Sequence, residues 1–187
     1  MILSSGNLLL IPSDVKLAEQ LANYYRRNWE FLRDFEATRE DSFFTTESQL
    51  RILGQEMESE RRRESFRFYI KLSSYPNEIM GVAGLNNVIW GAFCSSFLGY
   101  RLDFRHINKG YMTSVVSMLT EYAFKTLHLH RIEANVMPQN IPSLRVLEKC
   151  GYESEGLAKH YLKINGAWED HIHMVKINYD MHKKDAL

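Results

Sequence analysis

Cysteine, proline and long apolar runs are scarce in this chain, and these scarcities exclude several classes of protein. The two cysteines, Cys94 and Cys150, are too few for a disulfide framework and lack the spacing of a metal site. No apolar run reaches the roughly 18 residues of a membrane span. The first residues lack the basic stretch and apolar core of a secretory signal. These absences favour a cytoplasmic protein that binds no membrane.

Net charge is absent as well, because 23 lysines and arginines balance 23 aspartates and glutamates. Proteins that bind nucleic acid usually carry a basic excess, so we expect no direct nucleic-acid binding through bulk charge. The seven histidines form no complete set of metal ligands, so we expect no metal. Apolar residues make up 45% of the 187 residues, which suits one globular domain spanning residues 1–187.

The spacing of apolar residues predicts a chain that alternates between strands and helices. Strands are predicted over residues 7–11, 66–72, 79–90, 95–103, 130–136, 156–162 and 171–179. Helices are predicted over residues 14–28, 46–63, 111–127 and 142–150. Asn165 and Gly166 predict a tight hairpin turn. A meander followed by a strand–helix–strand crossover predicts an α/β fold with a mixed, mostly antiparallel sheet and helices on both faces.

The junction between the strand at 95–103 and the helix at 111–127 has features of an anion site. Gly110 lets a ligand approach the backbone, and Asn108 tolerates the left-handed region. The helix start offers free N–H groups and a favourable dipole. Arg105, His106 and Lys109 add local positive character. A pyrophosphate cradle and an ordinary strand-to-helix turn both fit this segment.

Several sequence blocks carry a resemblance to a known family. They are Leu8–Leu10, Tyr24–Asn28, Phe31–Leu32, Ile79–Ala83, Leu98–Tyr100, Lys109–Met112, His130–Asn135, Met137–Asn140, Ser143, Gly151–Gly156 and Trp168–His171. In order and spacing they resemble the GNAT family of N-acetyltransferases, and within it the RimJ/RimL branch of ribosomal-protein-alanine acetyltransferases. The acetyl-CoA motif of that family, Q/R-x-x-G-x-G/A, falls on residues 107–112. Gly110 fits it, whereas Ile107 replaces Gln or Arg and Met112 replaces Gly or Ala.

The resemblance implies a GNAT fold whose sheet splays between its fourth and fifth predicted strands, at 95–103 and 130–136. It also implies acetyl-CoA as the co-substrate. The pantetheine arm would bond to the backbone near Tyr100, Arg101 and Leu102. The pyrophosphate would rest on the N–H groups of Ile107, Asn108, Lys109, Gly110, Tyr111 and Met112.

Asn140 and Ser143 stand three residues apart at the start of a predicted helix, where both residue types commonly cap free N–H groups. The resemblance implies that Asn140 contacts the cofactor arm and that Ser143 lies near the sulfur. A hydroxyl there can supply the proton that a departing thiolate needs. The tyrosine that many relatives carry seven positions after the asparagine is Leu147 here. Arg145 faces either the CoA phosphates or solvent.

The group that takes a proton from the amine is left open by the sequence. A glutamate thought to serve in a RimL-type relative corresponds to Leu162 here. Glu133 is the candidate base on the strand beside the splay, although its carboxylate could instead pair with a neighbouring arginine or lysine. Asp170 and His171 are either further candidates or a structural pair.

The contacts to the substrate amine are predicted around the end of the first helix and the last two strands. Glu30 could hold a cationic amine, and Phe31, Tyr161 and Asp170 could line its slot. A solvated acidic loop and ordinary core packing are the alternatives. The run Arg61–Arg63 is either a solvated helix end or a surface that faces the ribosome.

The resemblance implies an enzyme that transfers acetyl from acetyl-CoA to an amine. Neither cysteine is placed to carry the acyl group, which favours direct transfer in a ternary complex. The substrate that the resemblance implies is the N-terminal α-amine of a protein, specifically a ribosomal protein. Two alternatives stay open. One is a small-molecule amine such as a polyamine, amino sugar or antibiotic. The other is an acetyl-CoA-binding module that docks on the ribosome with little catalysis. The sequence leaves a monomer and a homodimer both open.

Overall fold

The computed structural model describes residues 1–182 and confirms the predicted α/β class. Within these residues eight strands form one sheet in the order β1-β2-β3-β4-β5-β6-β8-β7. The strands are β1 (Leu3–Ser5), β2 (Leu8–Pro12), β3 (Phe66–Leu72), β4 (Gly81–Ile89), β5 (Ser95–Leu102), β6 (Arg131–Val136), β7 (Glu153–Ile164) and β8 (Ala167–Ile177). The helices are α1 (Ala18–Leu32), α2 (Thr46–Arg61), α3 (Tyr111–Glu121), α4 (Ile141–Lys149) and the short α5 (Tyr179–His182). Every neighbouring pair of strands is antiparallel except β5 and β6.

The main differences from the sequence prediction concern β1, α1, α3 and the last hairpin. The edge strand β1 was not predicted, and α1 continues to Leu32 where a helix end near Asn28 was expected. The helix predicted over residues 111–127 is α-helical only as far as Glu121, and one π-helical turn follows over Tyr122–Thr126. β7 and β8 are longer than predicted, and two register shifts interrupt their pairing. The Asn165–Gly166 turn is confirmed, with φ of +46° and +84°.

Two hydrophobic cores lie on opposite faces of the sheet. The larger one packs α3 and α4 against strand residues such as Leu85, Ile132 and Ala134. The smaller one packs α1 and α2 against Tyr69 and Val82. Because side chains alternate along a strand, each sheet residue belongs either to the α3/α4 face or to the α1/α2 face.

The sheet opens between β5 and β6, as predicted. Three residue pairs join the two strands, namely Ser95 with Arg131, Ser96 with Ile132 and Phe97 with Glu133. The rest of β5 pairs with β4 alone, so one backbone edge of β5 is open. We call this opening the β5–β6 gap. Gly99 lies at its start and places no side chain on the α1/α2 face, where an added Cβ would meet only Asn86 Nδ2 within 4 Å, at 3.4 Å.

The helices within residues 1–182 are all too short or too polar to cross a bilayer. The same part of the chain holds no group of three histidine, cysteine or carboxylate side chains arranged to bind a metal ion. Both cysteines are free thiols.

Candidate active site

One buried carboxylate fixes the loop that follows β5. Asp103 is 0% exposed. It accepts hydrogen bonds from Arg27 at 2.8 Å, Asn28 at 3.1 Å, and the backbone and side chain of Arg105 at 2.9 Å and 3.0 Å. Burial by itself raises the pKa of this carboxyl, but the hydrogen bonds outweigh burial and hold the pKa well below the ordinary aspartate value. An ionised Asp103 therefore sets the path of residues 104–110 into α3.

The first turn of α3 presents open amide groups. Gly110 is the N-cap residue with φ +78°, and no side chain caps the turn. Asn108 also lies in the left-handed region, with φ +58°, as its residue type allows. A Cβ added to Gly110 would meet nothing within 4 Å, so the space in front of these amides is open. An uncapped helix start with open space suits a phosphate group.

A cavity of about 360 Å³ lies beside the same loop. Its lining includes Tyr75, Arg105, His106 and Lys109. Burial lowers the pKa of His106, and the nearby cations Lys109 and Arg105 lower it further, against the opposing effect of Asp103. The positive charge of this lining therefore comes from Arg105 and Lys109 rather than from the imidazole.

Two hydroxyl groups meet between β5 and α4. Tyr100 Oη lies 2.8 Å from Ser143 Oγ and donates to the Ser143 carbonyl oxygen at 3.2 Å. Burial raises the pKa of Tyr100 above its ordinary value, although the hydrogen bond to Ser143 partly opposes this. The phenol therefore stays protonated near neutral pH. Position 147, where many relatives carry a tyrosine, is occupied here by the buried Leu147. The phenol beside Ser143 is that of Tyr100.

The predicted capping role of Asn140 is confirmed. Its Oδ1 accepts a hydrogen bond from the Ser143 backbone N–H at 3.2 Å and starts α4. This bond fixes Ser143 in the first turn, where its hydroxyl reaches Tyr100. Arg145 is exposed on the next turn of the same helix.

Five polar side chains gather on the α1/α2 face beside the β5–β6 gap: Glu133, Asn135, Tyr161, His171 and His173. We call them the polar wall. Asn135 Nδ2 donates to Tyr161 Oη at 2.9 Å, and Asn135 is the register partner of His173. The Tyr161 ring centroid lies 4.8 Å from that of His173 and 5.5 Å from that of His171. The wall combines residues of β6, β7 and β8.

Glu133, the candidate base from the sequence, is ion-paired. Its carboxylate accepts a hydrogen bond from Arg131 Nε at 2.8 Å, and Arg131 also binds Glu155 through two bonds of 2.8 Å and 2.6 Å. The second oxygen of Glu133 lies 3.9 Å from His173 Nδ1. The pairing alternative weighed from the sequence is thus the observed arrangement, and the role of Glu133 as a base stays a prediction.

The structure places the other predicted substrate contacts apart from the polar wall. Glu30 pairs with Arg33 on the surface at 3.0 Å, and Asp170 accepts a hydrogen bond from the backbone N–H of His160 at 2.8 Å. Phe31 packs on Phe104, with ring centroids 6.4 Å apart. Among these predicted contacts, only Tyr161 belongs to the wall.

The side chain of Arg101 turns away from the α3 loop. On the α1/α2 face it donates to Glu36 at 3.0 Å and to the Tyr25 hydroxyl at 3.3 Å. Tyr25 and Glu36 raise the pKa of Arg101, against the lowering effect of burial. The backbone of Arg101 lies on the open edge of β5, where the sequence analysis placed the pantetheine arm, but its side chain does not.

The β7–β8 hairpin reaches the end of α1. Asn165 Nδ2 donates a hydrogen bond of 2.6 Å to the backbone carbonyl oxygen of Arg33. The turn residue therefore ties the hairpin that carries Tyr161 and His171 to the segment that follows α1. We call this contact the hairpin tie.

A mixed sheet that opens between two parallel neighbours, with an uncapped helix start next to the opening, is the arrangement that the resemblance to the GNAT acetyltransferases implies. A search against family models agrees. The chain belongs to the acetyltransferase (GNAT) domain family, whose model matches residues 7–153.

Two curated relatives are similar over most of their length. The N-acetyltransferase YjcK of Bacillus subtilis, whose assignment is provisional, is 38% identical over 178 residues, covering 95% of this chain and 98% of the relative. The [ribosomal protein uS5]-alanine N-acetyltransferase of Escherichia coli is 38% identical over 156 residues, covering 83% of this chain and 79% of the relative.

Two solved structures have the same fold. The ribosomal-protein-S5-alanine acetyltransferase of Vibrio fischeri superposes with a TM-score of 0.92 at 34% identity, covering 96% of this chain and 98% of the other. Mycobacterium smegmatis RimJ in complex with a CoA disulfide gives a TM-score of 0.87 at 27% identity, covering 96% and 88%. These similarities confirm the resemblance deduced from the sequence blocks.

Proposed function

We propose that this enzyme transfers the acetyl group of acetyl-CoA to the N-terminal α-amine of a ribosomal protein. One observation carries the proposal: the open α3 start lies directly after β5, whose free backbone edge faces the β5–β6 gap. An extended thioester with a pyrophosphate at its far end suits such a site. The similarity to a [ribosomal protein uS5]-alanine N-acetyltransferase and to a ribosomal-protein-S5-alanine acetyltransferase supports the class of substrate.

Acetyl-CoA fits the residues present at this site. The amides of Gly110, Tyr111 and Met112 would hold the pyrophosphate at the helix N-terminus. Lys109 and Arg105 add positive charge nearby, and the free edge of β5 near Tyr100–Leu102 would hold the pantetheine amides. The M. smegmatis RimJ structure, a complex with a CoA disulfide, supports this choice of ligand.

Replacing Gly110 by alanine is expected to weaken acetyl-CoA binding about tenfold, because the added Cβ stands in the open space in front of the helix amides, where the pyrophosphate would lie. Calorimetric titration with acetyl-CoA measures the effect. The matched control is Gly91→Ala, since Gly91 also has a positive φ and open space but lies in the turn between β4 and β5. Equal affinity losses in the two variants would contradict a role for Gly110 in binding.

The leaving thiolate would take its proton from the hydroxyl pair. Ser143 Oγ and Tyr100 Oη are 2.8 Å apart, so a proton given up by one can be replaced from the other. Both groups are neutral donors near pH 7, and neither needs to ionise before the reaction. We propose that Ser143 lies next to the sulfur and that Tyr100 supports it.

The acceptor amine would approach from the α1/α2 face. Gly99 places no side chain on this face at the start of the gap, and the polar wall flanks it. The hairpin tie between Asn165 and Arg33 closes one side of the approach. An extended chain end presents its amine with little bulk, which favours a protein N-terminus over a side chain on a folded surface.

The first test is the release of free CoA thiol from acetyl-CoA with three kinds of acceptor. We expect turnover with peptides that begin with alanine, weaker turnover with peptides that begin with serine, and none with the same peptides blocked at the N-terminus. Polyamines and aminoglycosides are the competing acceptors. Turnover on these small amines alone would overturn the protein-acceptor proposal, and acetyl-CoA binding without turnover on any amine would favour the docking module.

A further inference from the structure

The imidazole of His171 is held in one tautomer. Its Nδ1 lies 3.0 Å from the backbone carbonyl oxygen of Glu169. A carbonyl oxygen only accepts hydrogen bonds, so Nδ1 carries the hydrogen and Nε2 keeps a lone pair. His171 is 4% exposed, and it packs against the ring of Tyr161. Within residues 1–182 no side chain or backbone group bonds to Nε2. The result is a rigid imidazole with a defined basic atom.

The position of His171 relates it to the gap. The ladder between β6 and β8 ends at the pair Val136 and Ile172. His171 is the next residue of β8, so it lies just past the end of β6, near the turn that leads to Asn140 and Ser143. Ile172 packs in the core of the α3/α4 face, so His171 faces the α1/α2 side. This is the side from which we propose that the amine approaches.

The other basic groups of the polar wall are less suited to take a proton. Glu133 is bound to Arg131, which compensates its charge. His173 has a buried Nε2 without a partner, and its Nδ1 faces Glu133 at 3.9 Å. Of the basic groups of the polar wall, His171 is therefore the one whose Nδ1 is held by a hydrogen bond and whose Nε2 is left to accept a proton from an amine in the gap.

We propose that His171 is the catalytic base that takes the proton of the acceptor amine. This inference rests on the proposed transfer to an amine. The ammonium form gives one proton to His171 Nε2, and the neutral nitrogen attacks the acetyl carbon. The N–C bond forms and the C–S bond breaks. The leaving thiolate takes a proton from the Ser143–Tyr100 pair. The attacking nitrogen loses its second proton to solvent, solvent returns one proton to the Ser143–Tyr100 pair, and His171 then gives its own proton to solvent.

The charges around His171 largely compensate one another. The titratable and charged groups near it on these strands are Arg131 and Glu133 on β6, Glu155, Lys159, His160 and Tyr161 on β7, and Glu169, Asp170 and His173 on β8. Arg131 binds both Glu133 and Glu155. Asp170 accepts from the His160 backbone. The positive charge that His171 gains in the reaction thus appears beside a carboxylate cluster that is already partly neutralised.

The test compares His171→Asn with the control His128→Asn across the pH range from about 6 to about 9. Asparagine can keep the hydrogen bond to the Glu169 carbonyl while removing Nε2. His128 is exposed, and its φ of +55° suits asparagine. We expect His171→Asn to lower kcat with an alanine peptide about 10²-fold near pH 7, with the KM for acetyl-CoA unchanged. The defect should narrow near pH 9, because an α-amine with a pKa of about 8 is then largely neutral without help.

Two further measurements keep the outcome decisive. Added imidazole should restore part of the activity that His171→Asn loses. If the His171→Asn variant does not fold, the same measurements are made on His171→Gln. A loss that is equal at every pH and is not restored by imidazole would assign His171 a structural role and overturn the proposal. A pH-dependent loss in His173→Asn, with none in His171→Asn, would overturn it as well. If the wild type acetylates only small amines, the proposed protein substrate fails, and the same variants test His171 with the amine that is turned over.

Discussion

Replacing Asp103 by alanine is expected to lower the free energy of unfolding by about 3 kcal/mol, the low end for removing one partner of a buried ion pair. The carboxylate is fully buried, but Arg27 and Arg105 are partly exposed and can regain water. The loop that leads to Gly110 loses its anchor at the same time, so acetyl-CoA should also bind more weakly. Denaturant titration and calorimetry measure the two effects.

The sign of the pH dependence follows from the lowered pKa of Asp103. A carboxyl whose folded pKa is depressed stabilises the protein above its unfolded pKa of about 3.9 and loses this contribution as pH falls further. The stability difference between wild type and Asp103→Ala should therefore be constant near neutral pH and shrink below about pH 4.

The control for Asp103 is Glu78→Ala. Glu78 pairs with the same two arginines but is partly exposed, with 38% of its side chain accessible, so its removal should cost less than about 1 kcal/mol. A loss of stability in Glu78→Ala as large as that in Asp103→Ala would contradict the assignment of the anchor to the buried carboxylate.

Replacing Ser143 by alanine is expected to lower kcat by about 10² while the KM for acetyl-CoA changes little, because the hydroxyl would act on the leaving thiolate rather than on the bound ground state. Tyr100→Phe should lower kcat by a smaller factor, since the phenol acts through Ser143. Steady-state thiol release with an alanine peptide measures both variants.

The double variant distinguishes a working pair from two separate residues. If Ser143 and Tyr100 act as one unit, the double variant loses no more activity than Ser143→Ala alone. Losses that multiply would contradict this. Ser117→Ala is the control, because Ser117 is a serine on the exposed side of α3 whose hydroxyl lies 3.5 Å from the Cys150 sulfur, and it should retain wild-type activity.

The sequence predicted the order of the elements well because most strands and helices carry their own periodic pattern. It missed β1, whose residues Leu3-Ser4-Ser5 show no alternation and which is held by pairing with β2. It also ended the first helix near Asn28, because the residues that follow are rich in aromatics and carboxylates and suggested an irregular or partly helical crossing. Asn28 is in fact buried, bonding to the Tyr24 carbonyl and to Asp103. A partner 75 positions away cannot be deduced from local sequence.

The same distinction applies to the site. The loop at 103–112 is continuous in sequence, so its glycine, its left-handed Asn108 and its open helix start were all predictable from residue types. The Ser143–Tyr100 contact joins residues 43 positions apart, and the polar wall draws on three strands. Glu133 and Tyr161 were each predicted as site residues, but only the register of β6, β7 and β8 reveals that His171 and His173 stand beside them.

Three residue pairs make a narrow junction between the β1–β5 and β6–β8 portions of the sheet. The thioester that we propose for the gap touches both portions and binds the folded chain alone, so its concentration adds to stability by mass action. At 100 times its dissociation constant the gain is about 2.7 kcal/mol. Proteases in cells degrade the small unfolded fraction of a protein. A higher concentration of the thioester would therefore lengthen the lifetime of the enzyme and raise its abundance, in addition to raising its catalytic rate.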